Sequence, residues 1–219
     1  YSGGLVGGAE YVSFTDVTVD VAVTAKQGTA PYPWSYIGGF AGTVTNADFL
    51  RCVNNGTVTS DGDYVSGFVP KSETTTYTAC ANNGAITGRT KIGGFGGAVK
   101  STKTVDSYNT GTIGLAAYNG GNQGIGGLFG EMGYGSTLTR CYNTGAVTGD
   151  CYVGGLVGTA FNLSVSWATG TRMAHPWLLL LLPVSGLLIA GLYRLTKMEN
   201  ENTNAIIDAI HFGDKVPLL

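Results

Sequence analysis

Short apolar runs recur along residues 1–171, and glycine, asparagine, serine and threonine fill most of the stretches between them. Three apolar positions return every 27 or 28 residues, except where insertions lengthen the interval. The first position is held by Leu5, Phe40, Phe68, Phe95, Leu128 and Leu156. The second is held by Ile37, Val65, Ile92, Ile125 and Val153, and the third by Val58, Ile86, Ile113 and Val147. No helical periodicity runs through this region, so the pattern predicts short β-strands separated by turns.

Two glycine motifs accompany the apolar positions. The first is an apolar residue followed by Gly-Gly-apolar, as in "IGGFAG" from Ile37, and its copy "VSGFVP" from Val65 departs from it by ending in proline. The second is Cys/Ser-x-Asn-x-Gly, as in "CVNNGTVTS" from Cys52. The double glycines are predicted to bend the chain through backbone angles that residues with a Cβ reach poorly. The second motif predicts corners, and its stacked asparagines are expected to hydrogen-bond from repeat to repeat. These asparagines are Asn54, Asn82, Asn109 and Asn143.

A repeat of this length, built from short β-prone runs and turns, predicts an all-β fold. We expect a right-handed parallel β-helix (β-solenoid) over residues 1–171, with about six coils because the first motif occurs six times. Adjacent coils in such a stack lie about 4.8 Å apart, and only stacking can bury the apolar face of a single coil. Two insertions, residues 25–36 and 114–124, are expected to project as loops.

The paired motifs resemble the GLUG-motif repeats of bacterial cell-surface proteins, which occur in secreted IgA-cleaving peptidases and in adhesin-like surface proteins. The resemblance covers roughly residues 3–171 and rests on six copies in register. It implies a repetitive extracellular segment, and it carries no catalytic residues that could be transferred to this chain.

The composition changes after Met173. The segment from Pro176 to Tyr193 holds 18 residues without a charge, about 27 Å as a helix and close to the thickness of a bilayer core. It predicts a single transmembrane helix with Trp177 and Tyr193 at its two ends, and Pro183 with Gly186 as a point of kinking. The predicted domains are therefore the repeats at 1–171, the membrane segment at 172–197 and a short tail at 198–219.

Charge near this segment predicts its orientation. Arg194 and Lys197 follow it directly and Arg172 alone precedes it nearby, so the positive-inside rule favours extracellular repeats and a cytoplasmic tail. The predicted location is thus the cell membrane, crossed once, with membrane lipid as a partner. Because the chain begins inside a repeat, we expect it to be the C-terminal part of a longer secreted precursor.

Composition narrows the chemistry further. A net charge of −2 gives no reason to expect nucleic acid as a partner. Four cysteines without a CxxC pair and two distant histidines form no zinc pattern, and we expect no metal or cofactor. Cys52, Cys80 and Cys141 share a repeat position with Ser107 and Ser166, which predicts buried free thiols and leaves a disulfide between Cys52 and Cys80 open.

One surface position turns aromatic along the chain. Next to the cysteine position come Val53, Ala81, Tyr108, Tyr142 and Trp167. Tyr108, Tyr142 and Trp167 form a candidate binding strip for surface glycans or a protein partner. Coverage of the strip by a loop or by a neighbouring chain is the alternative.

Three functions from different classes are compatible with these features. The leading hypothesis is a non-enzymatic, membrane-anchored structural or adhesion protein of the cell surface. The second is a subunit of a larger membrane assembly, docked through its transmembrane helix and tail. The third is a fragment of a carbohydrate-active β-helix enzyme, although the acidic residues are scattered singly along the chain rather than clustered.

Overall fold

The computed structural model describes residues 1–28, 35–116, 124–166 and 169–170. Within these ranges the chain forms 25 short strands joined by turns and bends, and no helix. Every described strand pair is parallel, and partners come from successive repeats, as for Ile37 with Val65 and Ile92 with Ile125. The prediction of an all-β chain with parallel pairing is confirmed for this region.

Each repeat supplies its strands in the same order. The first repeat contains β1 (Ser2–Gly3), β2 (Ala9–Thr15), β3 (Thr18–Val19) and β4 (Val23–Ala25). The second contains β5 (Tyr36–Gly38), β6 (Val44–Leu50), β7 (Val53–Asn54) and β8 (Val58–Ser60). The third contains β9 (Tyr64–Ser66), β10 (Lys71–Thr78), β11 (Ala81–Asn82) and β12 (Ile86–Gly88). The fourth contains β13 (Ile92–Gly93), β14 (Gly96–Lys100), β15 (Lys103–Val105), β16 (Tyr108–Asn109) and β17 (Ile113–Leu115). The fifth contains β18 (Ile125–Gly126), β19 (Phe129–Met132), β20 (Thr137–Thr139) and β21 (Tyr142–Asn143). The sixth contains β22 (Val153–Gly154), β23 (Val157–Ala160), β24 (Ser164–Ser166) and β25 (Thr169–Gly170).

These strands assemble into four parallel sheets. Sheet 1 joins β1, β5, β9, β13, β18 and β22, and sheet 3 joins β3, β7, β11, β16, β21 and β25. Sheet 2 has nine strands, because the long β2, β6 and β10 are each replaced in later repeats by two shorter strands. Sheet 4 joins β4, β8, β12 and β17, and an isolated bridge from Ile113 to Val147 continues it. One repeat therefore runs through all four sheets before the next repeat begins.

The first apolar position lies in the interior of the described stack. Phe40, Phe68, Phe95 and Leu128 are completely buried, and the phenyl rings stack with centroids 4.5 Å apart for Phe40–Phe68 and 4.6 Å for Phe68–Phe95. The two ends of this column differ from the prediction. Leu156 is only partly buried, and Leu5 is 47% exposed, because Leu5 belongs to the outermost described repeat and is covered from one side only.

Sheet 2 supplies a second aromatic column that the repeat alignment did not reveal. Phe14, Phe49 and Tyr77 stack with centroids 5.0 Å apart at each step. Their rings meet the first column edge-on, as for Phe49 against Phe68 at 5.8 Å and 83°. Such edge-to-face pairs contribute roughly 0.5–1.5 kcal/mol each beyond their burial, so the two columns together form the main core.

The other two predicted apolar positions form a separate cluster. Ile37, Val65, Ile92 and Ile125 of the second position pack against the four residues of the third position, Val58, Ile86, Ile113 and Val147. All eight side chains are buried. The interior thus contains two separate apolar clusters, the main aromatic core and this aliphatic one.

The asparagines form the predicted ladder. Asn54 Nδ2 donates to Asn82 Oδ1 at 2.7 Å, Asn82 to Asn109 at 2.6 Å and Asn109 to Asn143 at 2.7 Å. Each Nδ2 also donates to the carbonyl of the glycine two residues later, as for Asn82 and Gly84 at 2.9 Å. All four side chains are fully buried. The ladder gives partners to the Oδ1 atoms of Asn82, Asn109 and Asn143, which would otherwise cost free energy in the interior, while Asn54 Oδ1 at its end has no hydrogen-bond partner among the described residues.

The double glycines are required because a side chain would not fit at their positions. The prediction that they supply unusual backbone angles is wrong. In the described part of the chain only Gly124 and Gly135 among the glycines have positive φ, and neither belongs to the double-glycine motif. A Cβ at Gly39 would lie 2.6 Å from Asn54 Oδ1, and one at Gly67 would lie 2.1 Å from Asn82 Oδ1. The second glycine of the first motif therefore leaves the space that the asparagine of the second motif fills. This contact explains why the two motifs occur together in the second to fifth repeats.

Left-handed corners instead fall on residues with side chains. Asp16, Arg51, Ala79, Asp106 and Arg140 occupy one repeat position after sheet 2, and their φ values lie between 51° and 57°. Two pairs of these residues in adjacent repeats form ion pairs. Arg51 Nε lies 2.6 Å from Asp16 Oδ1, and Arg140 Nε lies 2.5 Å from Asp106 Oδ1. The corner recurs in every one of these repeats although its residue type changes.

The remaining sequence predictions fall largely outside the described residues. Residues 29–34 and 117–123, within the two predicted insertions, are not described. The predicted membrane span from Pro176 to Tyr193, including Trp177, Pro183 and Gly186, also lies outside, as does the tail. Among the described residues there is no helix with the length and apolarity needed to cross a membrane.

Candidate functional site

The predicted aromatic strip contains one stacked pair in the described region. Tyr108 and Tyr142 are register partners on β16 and β21, with ring centroids 4.9 Å apart and planes 5° apart. Because each ring covers one face of the other, the pair presents mainly its edges and hydroxyl groups to solvent. Stacking of a sugar on these two rings is therefore restricted to their outer faces.

The alignment of the last repeat needs correction. Thr169, and not Trp167, is the register partner of Tyr142, and Ser166 pairs with Thr139 rather than occupying the cysteine position. Aligning the glycine of "SWATGT" with that of the earlier motif shifted this repeat by two residues. The chain instead keeps Val165 in register with the buried Leu138. Trp167 itself lies outside the described residues.

A second tyrosine ladder lies at the start of sheet 1. Tyr1, Tyr36 and Tyr64 stack with centroids 5.1 Å and 4.7 Å apart. Tyr36 and Tyr64 are each the residue before a core position, Ile37 and Val65, and they are register partners. The apolar and glycine patterns do not predict them because they lie outside both motifs, although their spacing of 28 is the repeat period.

Beside this ladder runs a groove with a volume of about 420 Å³, which is within the usual range for ligand sites. Tyr36 and Tyr64 of the ladder form its wall, and the outward face of sheet 2 forms its floor. Gly97 and Gly130 directly precede the lining residues Ala98 and Glu131, and a Cβ on them would lie 2.5 Å from Lys91 O and 2.6 Å from Gly124 O. Pro70 takes the same position in the third repeat, and its carbonyl accepts hydrogen bonds from the backbone N–H groups of Gly97 and Ala98.

Charged side chains connect the floor and the wall of the groove. Lys71 Nζ lies over the Tyr36 ring and Lys91 Nζ over the Tyr64 ring, each 5.2 Å from the ring centroid. Lys91 Nζ also binds Glu131 Oε2 at 2.8 Å. Burial lowers the pKa of Lys91, but Glu131 and Tyr64 outweigh this effect and the net shift is upward. Lys91 therefore stays charged at neutral pH.

Other charges on the floor are less committed. Glu73 and Lys100 are exposed register partners on β10 and β14. In the described ranges, the ion pairs within 4.0 Å do not include Lys71, Lys100 or Glu73. Lys100 and Glu73 can therefore meet a ligand without first breaking such an ion pair, and Lys71 can do so from its place beside Tyr36.

Exposed aromatic residues mark the far end of the groove. Tyr134, after β19, is 65% exposed, and Phe161, after β23, is 43% exposed. Their ring centroids lie 6.5 Å apart and their planes differ by 26°. The lining thus extends from Tyr36 in the second repeat to Phe161 in the sixth.

The interior cysteines are not alike, because a side-chain hydrogen bond with Cys80 lowers the pKa of the Cys52 thiol. Cys52, Cys80 and Cys141 are buried and free, so the disulfide left open for Cys52 and Cys80 is not formed, while Cys151 is free and exposed. Burial raises the pKa of the Cys141 thiol, and that thiol donates to the carbonyls of Thr104 and Thr139 at 3.4 and 3.3 Å. A neutral, hydrogen-bonded thiol of this kind is a packing element rather than a nucleophile.

The described ranges contain no cluster of potential metal ligands. No three or more His, Cys, Asp or Glu side chains come close enough there to hold a metal ion.

Comparison with known proteins adds no relative. No family model, curated protein or solved structure matches this chain.

Proposed function

We propose that residues 1–171 form a right-handed β-solenoid of about six coils that acts as a non-enzymatic structural or adhesive module on a bacterial cell surface. The observation that carries this proposal is the continuous register of repeats around the buried asparagine ladder. A stack held by repeated contacts is suited to extending a surface away from the membrane. The right-handed sense follows the strong preference of parallel β crossovers.

Membrane attachment belongs to the same proposal. The uncharged segment from Pro176 to Tyr193 anchors the chain, the repeats face outward, and residues 198–219 lie in the cytoplasm. The sequence supports this arrangement through the length of the segment and through Arg194 and Lys197 behind it. The resemblance to GLUG-motif surface proteins is consistent with the same placement.

Protease protection in intact cells tests this topology. The full chain is expressed with a secretory leader and an epitope after Leu219, and protease is added outside the cells. We expect the repeats to be shed or digested while the epitope is spared. Digestion of the epitope from outside, or recovery of the intact chain in the aqueous phase of a detergent extraction, contradicts the anchored arrangement.

A charge substitution sharpens the test. Leu181→Arg combined with Leu188→Arg should weaken insertion, since a central charge costs roughly 2.5–3.5 kcal/mol on insertion scales. The control is Asn204→Arg in the tail, which leaves the apolar segment unchanged. Equal membrane retention of both proteins contradicts anchoring by this segment.

The groove favours one second candidate, a carbohydrate-active enzyme. Two carboxylates, Glu73 and Glu131, line the same groove, and paired carboxylates are the usual catalytic groups of glycoside hydrolysis. Glu131 is already paired with Lys91 at 2.8 Å, which favours a charge-balancing role for it. Release of reducing ends from a polysaccharide by the full chain, abolished by Glu73→Gln, would establish the enzyme instead.

A further inference from the structure

The groove beside the tyrosine ladder is elongated along the stack. Its lining spans four intervals between the second and sixth repeats, which corresponds to roughly 19 Å at the spacing of adjacent strands. A groove of this form suits a linear ligand better than a compact one.

An extended peptide cannot bind here as an added strand. The floor strands β6, β10 and β14 are each paired on both sides within sheet 2, so their backbone donors and acceptors are already used. A ligand in the groove must therefore be recognised by side chains. The side chains available are mainly hydroxyl groups, amines and carboxylates.

Hydroxyl groups line one side of the groove. Tyr36 and Tyr64 are half-buried and stacked on each other, so they offer ring edges and phenol oxygens rather than free faces. Thr43 and Thr45 on the floor add further hydroxyls. Burial raises the pKa of Tyr36, so its hydroxyl stays protonated and can donate a hydrogen bond.

The charge of the groove is locally positive. Lys71, Lys91 and Lys100 line it together with Glu73 and Glu131. The Lys91–Glu131 pair is neutral overall, which leaves Lys71 and Lys100 against Glu73. This positive excess contrasts with the net charge of −2 for the whole chain.

We propose that this groove binds a linear acidic polysaccharide, with carboxylates of the polymer against Lys71 and Lys100 and sugar hydroxyls against Tyr36 and Tyr64. The inference rests on the proposed adhesive role and names its ligand class. The polymer lies across the strands, along the direction in which the repeats stack.

Calorimetric titration tests the binding. The probe is a galacturonic acid oligomer added to the full chain in non-ionic detergent, with an alginate oligomer as a second uronic acid polymer. The methyl-esterified galacturonic oligomer removes the charge but keeps the sugars, and poly-glutamate keeps the charge but removes the sugars. We expect binding of at least one uronic acid oligomer, and at least tenfold weaker binding of the esterified form and of poly-glutamate.

Variants locate the site. Lys71→Gln with Lys100→Gln should weaken binding about tenfold or more, whereas Lys103→Gln, an exposed lysine of β15 outside the groove, should change it less than twofold. Tyr64→Phe removes one hydroxyl but keeps the ring, and it should weaken binding severalfold. Unchanged circular dichroism and thermal midpoints show that the lysine variants remain folded.

The outcomes separate the two proposals. Failure of both uronic acid oligomers to bind, equal binding of the ester or of poly-glutamate, or equal loss in the Lys103 variant overturns the groove assignment. Depolymerisation of a bound oligomer supports the groove but overturns the non-enzymatic function. Failure of the protease-protection experiment overturns the membrane placement and leaves the binding result intact.

Discussion

The buried columns and the groove of this molecule follow opposite rules. Inside, one residue type is kept from repeat to repeat, as in the asparagine ladder through Asn54, Asn82 and Asn109. In the groove, neighbouring repeats differ, since Tyr36 and Tyr64 are followed in register by Lys91. On the floor, the series Lys71, Ala98 and Glu131 changes its charge at each step.

The difference has a physical cause. A buried residue packs against the equivalent residues of the repeats above and below it. Close packing therefore favours the same shape and polarity at that position in every repeat. A groove position faces solvent on one side and can change without unfolding the stack. Uniform columns are therefore expected to determine stability, while varied columns are expected to determine what the surface binds.

The largest expected effect is at the centre of the phenylalanine column. Phe95→Asp places an unpaired charge in a completely buried site that stacks on Phe68 at 4.6 Å. We expect a loss of about 4 kcal/mol or more in the free energy of unfolding, enough to unfold neighbouring repeats. Lys103→Asp, on the exposed face of β15, is the control. Urea unfolding followed by circular dichroism measures both, and similar stability of the two variants would reject the proposed column.

The next effect concerns the space around the glycines. A Cβ at Gly111 would lie 2.0 Å from Gly84 O, so Gly111→Ala must push two repeats apart. We expect a loss of about 3 kcal/mol, typical of overpacking against backbone. Gly114→Ala, three residues later, meets only Thr148 Oγ1 at 3.4 Å and should change stability by no more than about 0.5 kcal/mol. If the two midpoints in urea shift equally, close approach is not the reason for Gly111.

A smaller loss is expected from the asparagine ladder. Asn82→Leu removes the acceptor for Asn54 and the donor to Asn109 inside the protein, and should cost about 2–3 kcal/mol. Asn83→Leu removes two exposed hydrogen bonds, the one that Asn83 donates to Asn55 at 2.8 Å and the one that it accepts from Thr110 at 2.7 Å. That control should cost well under about 1 kcal/mol, because water replaces the lost partner. Thermal unfolding of the pair gives the comparison, and an equal cost would assign the ladder no role in stability.

Sequence reasoning succeeded where identity repeats and failed where contact decides. The positions of Phe68, Ile92 and Asn82 were predicted because each recurs at the repeat period. The reason for Gly67 was missed, since the pattern shows that a glycine recurs but not that the Asn82 side chain lies against it, where a Cβ would be 2.1 Å away. Prediction of the last repeat failed because one glycine was aligned at the expense of the apolar register between Leu138 and Val165.

The groove escaped prediction for a related reason. Tyr64, Lys91 and Glu131 are far apart in sequence and occur in different columns, and only the stacking of repeats brings them together. Their variation removed the periodic signal on which the alignment relied. The tyrosine ladder alone left a trace, in the 28-residue spacing of Tyr36 and Tyr64.

The corner after sheet 2 combines both rules, because its backbone is uniform while its side chains vary. Ala79 is exposed there with φ of 54°, between a corner held by Arg51 and one held by Asp106. An alanine with left-handed backbone angles loses about 1 kcal/mol of stability. Glycine adopts these angles without that cost, but its greater conformational freedom in the unfolded chain offsets part of the gain.

Ala79→Gly is therefore expected to stabilise the protein by about 0.5 kcal/mol, the smallest effect in this series and the only one of positive sign. Ala98→Gly, in the middle of β14 where φ is not positive, should have the opposite sign and cost about 0.5–1 kcal/mol. Thermal midpoints measured side by side at pH 7 decide the matter. If Ala79→Gly destabilises as much as Ala98→Gly, the left-handed corner is not the backbone state of the folded chain at that position, and the uniform corner column is wrong.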